Sequence, residues 1–381
     1  MLHFTHAEFD DRMARTRAAM AERGLDSLML FAPESQYWLT GYDTFGFCFF
    51  QCLVVSADEV VLLTRSADLR QAELTSTIRD IRVWKDRAGA DPSEDLAGIL
   101  SELGVLGGRI GWETATQGLT HANGRRVEAR IGALASLVDA SDLMGRLRLV
   151  KSPAEIAYVR RAAELADAAF DAAVGATRPG ATEGDVLAAM HDVIFRGGGD
   201  YPANEFIVGS GEHALLCRYQ AGRRTFGTDD QLNLEWAGTY RHYHAANFKT
   251  VVVGRPRPQH VSMHAAAFDA LMACEEALRP GRPMAEVFDA HARVLDAAGL
   301  GAHRLNACGY SLGPRFAPSW MEDQMFYEGA PTLMEPGMVF FLHMILMDSG
   351  TQTAMCLGRT SLVTEGAAEP LSRMPLGMVA V

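Results

Sequence analysis

The chain has 381 residues, of which 48% are hydrophobic and 22% are charged. These values are ordinary for globular proteins and exclude a disordered, collagen-like or coiled-coil chain. Its 47 acidic and 35 basic residues give a net charge of −12, which repels phosphate backbones and anionic lipid, so we expect no nucleic-acid partner and no membrane partner. The N-terminal residues lack the apolar stretch of a signal peptide, and no apolar run reaches membrane-spanning length. We therefore expect a cytoplasmic protein.

The first part of the chain alternates helical and strand-like patterns. Thr5 and Glu8 have capping-box spacing before an apolar stripe that ends at Gly24, which predicts a helix over residues 5–24. A second helical pattern covers Ser93–Leu103. The strand-like runs are Ser27–Phe31, Cys52–Val55, Val60–Thr64, Ile81–Trp84 and Arg109–Glu113. This alternation predicts an α/β domain, and no G-x-G-x-x-G motif opens a helix to bind a dinucleotide.

A change of domain is expected near residue 146. Shortly after it, Ser152, Pro153 and Glu155 supply an N-cap, a proline at the first helical position and an acidic third residue. This pattern predicts the start of a long helix. We expect two domains, 1–146 and 147–381.

The sequences of two segments of the second domain, Ala176–Gly198 and Ala277–Gly299, align without a gap. Each contains a helix end, an Arg-Pro-Gly turn and a second helix, and each is followed by strand-rich sequence. Such a two-copy unit predicts a pseudo-twofold α+β domain in which the strands share one sheet and the helices lie outside it.

The strands that follow the first copy carry polar residues. Glu235 lies in an apolar run that is expected to turn through Ala237–Arg241 and to return as Tyr243–Val253, which predicts a β-hairpin. Alternation with a period of two residues puts His244 on the same face as position 246.

The strand after the second copy carries one histidine. His343 lies in the middle of the apolar run Met338–Leu346. A buried imidazole in such a position needs a polar partner.

These segments resemble the pita-bread fold of the methionine aminopeptidase, prolidase and creatinase superfamily, over nearly the whole chain. The matching segments are Tyr37–Tyr42, similar to a family strand that leads to the dimer partner, Lys151–Ile156, similar to the linker helix, and Gly209–Glu212, Glu335–Phe340 and Leu362–Glu365. The resemblance implies a creatinase-like N-terminal α/β domain followed by a pita-bread catalytic domain.

The peptidases of this superfamily bind two metal ions through two aspartates, one histidine and two glutamates. The corresponding positions of this chain hold Glu235, Ala246, Tyr310, His343 and Gly358. One carboxylate and one imidazole cannot supply the ligands of a dinuclear centre, so we expect no metal and no other cofactor. A single zinc ion held by Glu235, His244 and His343 is an alternative that the residue types leave open.

Within the superfamily, creatinases and ectoine hydrolases are metal-free members that hydrolyse C–N bonds in small zwitterionic solutes. This chain resembles the ectoine hydrolases more, through Trp38–Asp43, Gly198–Ala203, the hairpin of Glu235 and Cys308–Tyr310. The resemblance implies that Glu235 is the nucleophile. One departure is Arg218, which stands where the family has a histidine similar to the acid/base of creatinase. A guanidinium stays protonated and cannot shuttle protons.

On this fold, the catalytic candidates are Glu235, His244, Tyr310 and His343, around one cavity. Glu235 is expected to attack an amidine or amide carbon or to activate water, while His343 or His244 relays a proton to the leaving nitrogen. Tyr310 can donate a hydrogen bond to a developing oxyanion, and Arg218 offers a rigid pair of donors to the carboxylate of a small substrate.

The resemblance also implies a homodimer whose sites are completed by the partner. Creatinases place the segment equivalent to Gly41–Gln51 at the partner's pocket. Tyr42 and Phe47 of this segment are therefore substrate-binding candidates.

The sequence favours a metal-independent hydrolase of an amidine or amide C–N bond in a small zwitterionic or carboxylate solute. One alternative is a non-catalytic binding module, in which Glu235 is a structural ion-pair partner of Arg218 or Lys249 and His343 is a core histidine. Another is a metal-dependent enzyme, similar to the Xaa-Pro peptidases or to the dimethylsulfoniopropionate lyases of the superfamily.

Overall fold

The computed structural model describes residues 1–219 and 222–381, which form two compact units, Met1–Arg148 and Leu149–Val381. The prediction of an α/β first domain and an α+β second domain is confirmed. In the part of the chain that is described, no helix combines the length and the apolar character that crossing a bilayer requires.

The first unit is built on a mixed six-stranded sheet. Its helices are α1 (His6–Glu22), α2 (Pro33–Thr40), α3 (Leu69–Thr75), α4 (Pro92–Glu102), α5 (His121–Ile131) and α6 (Ser141–Leu149). Its strands are β1 (Ser27–Leu30), β2 (Cys52–Ser56), β3 (Val60–Arg65), β4 (Asp80–Trp84), β5 (Arg109–Trp112) and β6 (Ser136–Asp139), in the order β4-β3-β2-β1-β5-β6. Alternate residues of β1 enter two separate apolar cores, because successive side chains of a strand point to opposite faces.

One prediction for this unit is wrong. The segment Tyr37–Tyr42, compared above with a strand, lies mostly in helix α2 and leaves it at Gly41. Pro33 occupies the first turn, where its missing N–H costs nothing, and Gly41 ends the helix with φ +83°. Proline at the start and glycine just past the end are helix signals that the sequence carried.

The second unit is an antiparallel sheet with helices packed on it. Its helices are α7 (Pro153–Ala176), α8 (Glu183–Arg196), α9 (Pro258–Ala277) and α10 (Ala285–Ala297). Its strands are β7 (Ile207–Ser210), β8 (Asp230–Tyr240), β9 (Tyr243–Val253), β10 (Gly309–Ser311), β11 (Val339–Asp348), β12 (Thr353–Leu362), β13 (Glu369–Pro370) and β14 (Val379–Ala380). The main sheet has the order β10-β11-β12-β9-β8-β7, with β13 beside β12 and β14 parallel to β9.

This sheet order confirms the predicted repeat. The first half runs α7, α8, β7, β8, β9, and the second half runs α9, α10, β10, β11, β12. The two halves meet at β9 and β12, and each places its edge strand on the outside. Two copies of one helix-and-hairpin unit therefore share one sheet, as a pseudo-twofold domain requires.

The β8–β9 hairpin is confirmed, but its turn is tighter than predicted. Strand β8 continues to Tyr240, and only Arg241 and His242 form the loop, with φ +52° and +63°. Two consecutive positive φ values match the right-handed twist of the flanking strands, which is why two-residue hairpin loops favour them.

Helix α7 packs very closely on this hairpin. The indole N–H of Trp236 donates to the carbonyl oxygen of Ala166 at 2.8 Å, and its ring stacks on Phe170 at 5.6 Å. Two residues along β8, a Cβ atom on Gly238 would overlap the carbonyl oxygen of Ala162. The helix therefore lies directly on the backbone of β8.

We predict that Gly238→Ala lowers the free energy of unfolding by about 1–3 kcal/mol or more, because the added methyl group must push α7 away from the sheet. Gly175→Ala is the matched control, since Gly175 lies in α7 with no atom within 4 Å of its Cβ position. The control should stabilise the protein by about 0.5–1 kcal/mol through helix propensity. Urea unfolding of both variants measures the two effects, and equal stabilities would contradict the close packing.

Candidate active site

A transverse row of residues crosses one face of the sheet in the second unit. His343 on β11 is opposite Gly358 on β12, Gly358 is opposite Phe248 on β9, and Phe248 is opposite Glu235 on β8. Directly opposed residues of neighbouring antiparallel strands share a face. Glu235 and His343 therefore lie on the same face, and it is the face opposite to that of Trp236 and helix α7.

A cavity of about 310 Å³ opens on this face. This volume lies at the small end of the range for pockets that bind small molecules. Its lining residues are Asn204, Glu205, Ile207, Arg218, Tyr219, Glu235, Tyr310, Pro318, Ser319, Trp320 and Met321. Three of the sequence-predicted site residues, Arg218, Glu235 and Tyr310, are thus brought together.

Glu235 is the buried carboxylate of this cavity, with only 6% of its surface exposed. Burial raises its pKa from 4.5 to about 7, against the opposing effects of the Arg218 charge and of a hydrogen bond from Tyr310. A carboxyl group with this pKa is present in both protonation states near neutral pH. It can therefore take up a proton and release it within one reaction.

A hydrogen-bond chain leads to Glu235 through Tyr310. The indole N–H of Trp320 donates to the Tyr310 hydroxyl oxygen at 2.8 Å, and that hydroxyl donates to Oε1 of Glu235 at 3.4 Å. Because an indole N–H can only donate, the Tyr310 oxygen accepts on that side and its own proton points to the carboxylate. Trp320 is a site residue that the sequence did not predict, since no motif spacing links positions 320 and 310.

Arg218 stands at the cavity wall on the segment that follows the 3₁₀ turn Gly211–Leu215. Its guanidinium is exposed and donates to the backbone carbonyl of Cys217 at 3.1 Å. Its positive charge acts on Glu235 through space and lowers the pKa of that carboxyl group. The described part of the chain shows no direct salt bridge between Arg218 and Glu235. An accessible guanidinium in this position is suited to a ligand carboxylate.

Lys249, the other ion-pair partner considered for Glu235, faces the opposite side of the sheet. It is paired with Leu234 on β8, and its Nζ donates to the carbonyl oxygens of Pro375, Leu376 and Gly377 at 2.7–3.1 Å. Burial lowers its pKa to about 8. The structure therefore does not support the alternative of a Glu235–Lys249 ion pair.

His244 does not line the cavity, contrary to prediction. Its ring is fully buried, with Nε2 accepting from the Ala203 amide at 3.0 Å and Nδ1 lying 3.5 Å from the Gly313 carbonyl oxygen. Burial lowers its pKa to about 3, so the ring is neutral. Both ring nitrogens interact with backbone groups, and we therefore assign His244 a structural role instead of the predicted catalytic one.

His343 lies beside Tyr310, with the two ring centroids 5.6 Å apart. Burial lowers its pKa to about 3, and the nearby His291 and Arg218 act in the same direction. Its Nδ1 has no hydrogen-bond partner among the described residues. A neutral imidazole with this pKa can donate or accept a hydrogen bond, but at neutral pH it is not in the imidazolium form that acts as a general acid, which weakens the predicted relay role.

The two substrate-binding candidates of the first unit are buried. Tyr42 is 1% exposed, with its hydroxyl 3.4 Å from the side chains of Gln51 and Thr64, and Phe47 is 8% exposed. The exposed aromatic rings of the same segment are Phe45 and Phe49, at 79% and 51%. The structure therefore does not support Tyr42 and Phe47 as substrate-binding residues of the single chain, and Phe45 and Phe49 are the rings of this segment that it exposes.

The residues present do not fit a dinuclear metal centre. Ala246 and Gly358 offer no ligand atoms, and Tyr310 is a phenol whose pKa burial raises well above its ordinary value. A Cβ atom at Gly358 would lie 2.6 Å from the carbonyl oxygen of Leu342, so the backbone there leaves no space for a carboxylate side chain. No group of three or more histidine, cysteine, aspartate or glutamate side chains is arranged to hold a metal ion in the described ranges. The three-ligand zinc alternative has the same difficulty, since both ring nitrogens of His244 are engaged.

Comparison with known proteins gives consistent matches over both units. Residues 157–365 match metallopeptidase family M24, and residues 12–150 match the creatinase/prolidase N-terminal domain. Ectoine hydrolase of Halomonas elongata is 28% identical, covering 98% of this chain and 97% of that protein. Xaa-Pro dipeptidase of Pyrococcus furiosus is 22% identical, covering 86% and 90%.

Among solved structures, Xaa-Pro dipeptidase from Bacillus anthracis superposes with a TM-score of 0.86 at 21% identity. The superposition covers 98% of this chain and 100% of the other. At this identity the match supports the fold alone. The resemblance that the sequence motifs indicated is confirmed at the level of the superfamily.

Proposed function

The chain belongs to metallopeptidase family M24, and from that premise we propose that it is a metal-independent hydrolase of an amidine or amide C–N bond in a small zwitterionic or carboxylate solute. The reaction is of the kind that the name ectoine hydrolase describes for the Halomonas elongata relative. The observation that carries the proposal is Glu235, a single buried carboxylate with a pKa of about 7 in the wall of a small cavity.

The metal-independent part of the proposal rests on the donor set. A peptidase of this family needs two cations to activate its water. Here the positions that would bind them offer Ala246, Gly358 and a buried phenol in place of carboxylates and a histidine. Activation of the nucleophile then falls to Glu235 itself.

The chemistry follows from the positions of three side chains. Arg218 binds the substrate carboxylate and orients the C–N bond over Glu235. In the water route, Glu235 removes a proton from water, the water oxygen bonds to the carbon, and the carbon–nitrogen bond breaks as Glu235 returns the proton to the leaving nitrogen. In the covalent route, a carboxylate oxygen of ionised Glu235 bonds to the carbon, the carbon–nitrogen bond breaks, and the leaving nitrogen takes a proton from water. A second water molecule then cleaves the bond between the acyl group and Glu235, which releases the product and restores the carboxylate.

Tyr310 completes this arrangement. Its hydroxyl stabilises the ionised form of Glu235 before reaction and can turn to the heteroatom that gains electrons as the carbon becomes tetrahedral. Trp320 keeps the hydroxyl oxygen in place by donating to it. The neutral ring of His343 is a further hydrogen-bonding group on the same face.

A screen of ectoine, creatine, betaines and N-acylated diamino acids tests the substrate class. Hydrolysis of at least one member, measured by release of the amine or the opened product, is the expected result. Binding without turnover would favour the alternative of a non-catalytic binding module. Turnover of Xaa-Pro dipeptides would instead favour the activity named for the Pyrococcus furiosus relative.

We predict that Glu235→Gln abolishes turnover in a folded protein. Glutamine keeps the shape of the side chain but neither attacks as a carboxylate nor accepts a proton, and loss of a general base costs about 10²–10⁴-fold in rate. His343→Asn should cause a smaller loss of turnover, because the His343 imidazole is neutral at neutral pH and cannot act as a general acid. Turnover by purified variants, normalised to folded protein by circular dichroism, measures both effects. A Glu235→Gln protein with normal turnover would remove the basis of the proposal.

Glu113 in the first unit offers the matched control. It is buried, accepts from the amides of Phe31 and Ala32 at 2.8 Å, and has a pKa that burial raises to about 7. For either glutamate, the folded state binds a proton that the unfolded chain releases between about pH 4.5 and 7, so stability falls as pH rises through this window. Replacing either by glutamine should remove that residue's share of the decline in a pH series of melting temperatures, whereas only Glu235→Gln should remove activity.

We predict that the purified protein contains no stoichiometric transition metal and that chelators leave its turnover unchanged. The reason is the absence of ligand atoms at the positions of Ala246 and Gly358. Elemental analysis of protein prepared without a metal-affinity step, together with turnover after dialysis against EDTA, provides the measurement. Two equivalents of bound metal, or activity lost on dialysis and restored by a cation, would contradict this prediction.

We also propose that the protein works as a cytoplasmic homodimer, with the partner's exposed aromatic segment completing the site. Phe45 and Phe49 are large apolar side chains left in water by the single chain, as interface residues are. Light scattering at micromolar concentration should give twice the monomer mass, and a double change to serine at these two positions should shift it toward the monomer. A wild-type protein that is monomeric throughout this range would contradict the dimer.

A further inference from the structure

Glu183 is another buried carboxylate of this unit, in the first turn of helix α8 and outside the cavity lining. Its Oε1 accepts from the amide and the hydroxyl of Ser210 at 2.9 and 2.8 Å. Its Oε2 accepts from the hydroxyl of Tyr219 at 3.2 Å and from the amides of Gly222, Arg223 and Arg224 at 3.2–3.3 Å. One carboxylate thus ties strand β7 to the segment that follows the 3₁₀ turn.

The internal repeat shows that helix α8 does not itself require this carboxylate. Superposing the two copies puts Glu183 on Met284, and Met284 is fully buried in the apolar core of the second half. The same helix start is therefore built once on an apolar side chain and once on a buried charge. Since a buried charge is costly to desolvate, its presence in the first copy indicates a local requirement.

The part of the structure that requires this charge is the segment that carries Arg218 and Tyr219. Both residues line the cavity, and Tyr219 connects the cavity wall directly to Oε2 of Glu183. Burial alone would raise the pKa of Glu183, but hydrogen bonds from Ser210 and from the segment's amides outweigh burial and lower it. The carboxylate is therefore ionised in the pH range of the proposed reaction and accepts from all six donors at once.

We propose that Glu183 is a positioning residue that holds residues 217–219 and 222–224 in place, and thereby keeps Arg218 over the cavity to bind the substrate carboxylate. The part that concerns substrate rests on the proposed function. The part that concerns the segment can be measured without any substrate.

Two properties report on the segment directly. Arg218, Arg223 and Arg224 are trypsin sites within it, and tryptic cleavage requires the backbone to leave its ordered conformation. The second property is the titration of Glu235, which is faced by Arg218 and Cys217 from this segment, by Tyr310 from β10 and by Cys356 from β12. Arg218 is the cation in this group, so its displacement should raise the pH at which Glu235 ionises.

The test is Glu183→Gln, with Glu155→Gln as the matched control. Glutamine has one acceptor oxygen, and its NH₂ group would face donors. Glu155 is also a fully buried glutamate in the first turn of a helix, and it also accepts from a tyrosine hydroxyl, that of Tyr243 at 2.6 Å. Both variants replace a buried carboxyl group, but only that of Glu183 is hydrogen-bonded to the segment.

We expect Glu183→Gln to speed tryptic cleavage at the three arginines by about tenfold or more, as loss of hydrogen bonds to a charged group implies. We expect the ionisation of Glu235, followed by its infrared carboxyl band with Glu235→Gln as the blank, to move to higher pH. Glu155→Gln should leave both properties as in the wild type. Unchanged cleavage in Glu183→Gln, or equal acceleration in both variants, would overturn the proposal.

Tyr219→Phe provides a second, milder variant, because it removes one donor and leaves the buried charge in place. Tyr219→Phe should accelerate cleavage to a smaller extent than Glu183→Gln. If Glu183→Gln fails to fold and Tyr219→Phe leaves cleavage unchanged, the result counts against Glu183 as a positioning residue. With a substrate from the screen, both variants should raise KM more than they lower kcat; a fall in kcat alone would refute the role assigned to Arg218. If wild-type protein turns over no compound, the proposed function fails, while proteolysis and titration still decide whether Glu183 holds the segment.

Discussion

The close packing of helix α7 on the β8–β9 hairpin is the constraint on which the site depends. Trp236 and Gly238 face the helix, one through a hydrogen bond to its backbone and the other by having no side chain. Because successive residues of a strand face opposite sides, this contact sends Glu235 to the cavity face. Any shift of the hairpin by one residue would exchange the catalytic candidate with a buried tryptophan. The position of the carboxylate is thus set by the packing on the other side of the sheet.

The buried charged groups on the two faces of the sheet have different hydrogen-bond partners. On the helix side, Lys249 donates to three backbone carbonyls, which replace the water it loses on burial. On the cavity side, Glu235 has one hydrogen bond from Tyr310 and a distant guanidinium, and its pKa rises to about 7. The first arrangement gives a buried ammonium group backbone acceptors, although burial still lowers its pKa to about 8. The second leaves a carboxylate partly unsatisfied beside a space that a ligand can enter, which is typical of functional sites.

On the same face, the strand geometry does not depend on which side chains stand at the metal-ligand positions of the family. The strands still align positions 235, 246, 343 and 358 in register, because pairing and core packing are independent of what the side chains ligate. Ala246 and Gly358 remove donor atoms without disturbing either strand. At Gly358, an added Cβ atom would lie 2.6 Å from the backbone of β11. The fold therefore indicates the family, while the side chains on this face determine the chemistry available.

The sequence by itself determined the alternation of elements in the first unit, the two-copy architecture of the second and the β8–β9 hairpin, because periodicity and repeats are local properties of a chain. The resemblance to the superfamily identified Glu235 as the catalytic candidate. Only the tertiary structure decided which polar residues meet. It placed His244 against backbone groups, buried Tyr42 in a core, turned Lys249 away from Glu235 and brought Trp320 to Tyr310. These outcomes depend on contacts between residues far apart in the chain, and on desolvation that side chains experience only when the helices and strands have packed.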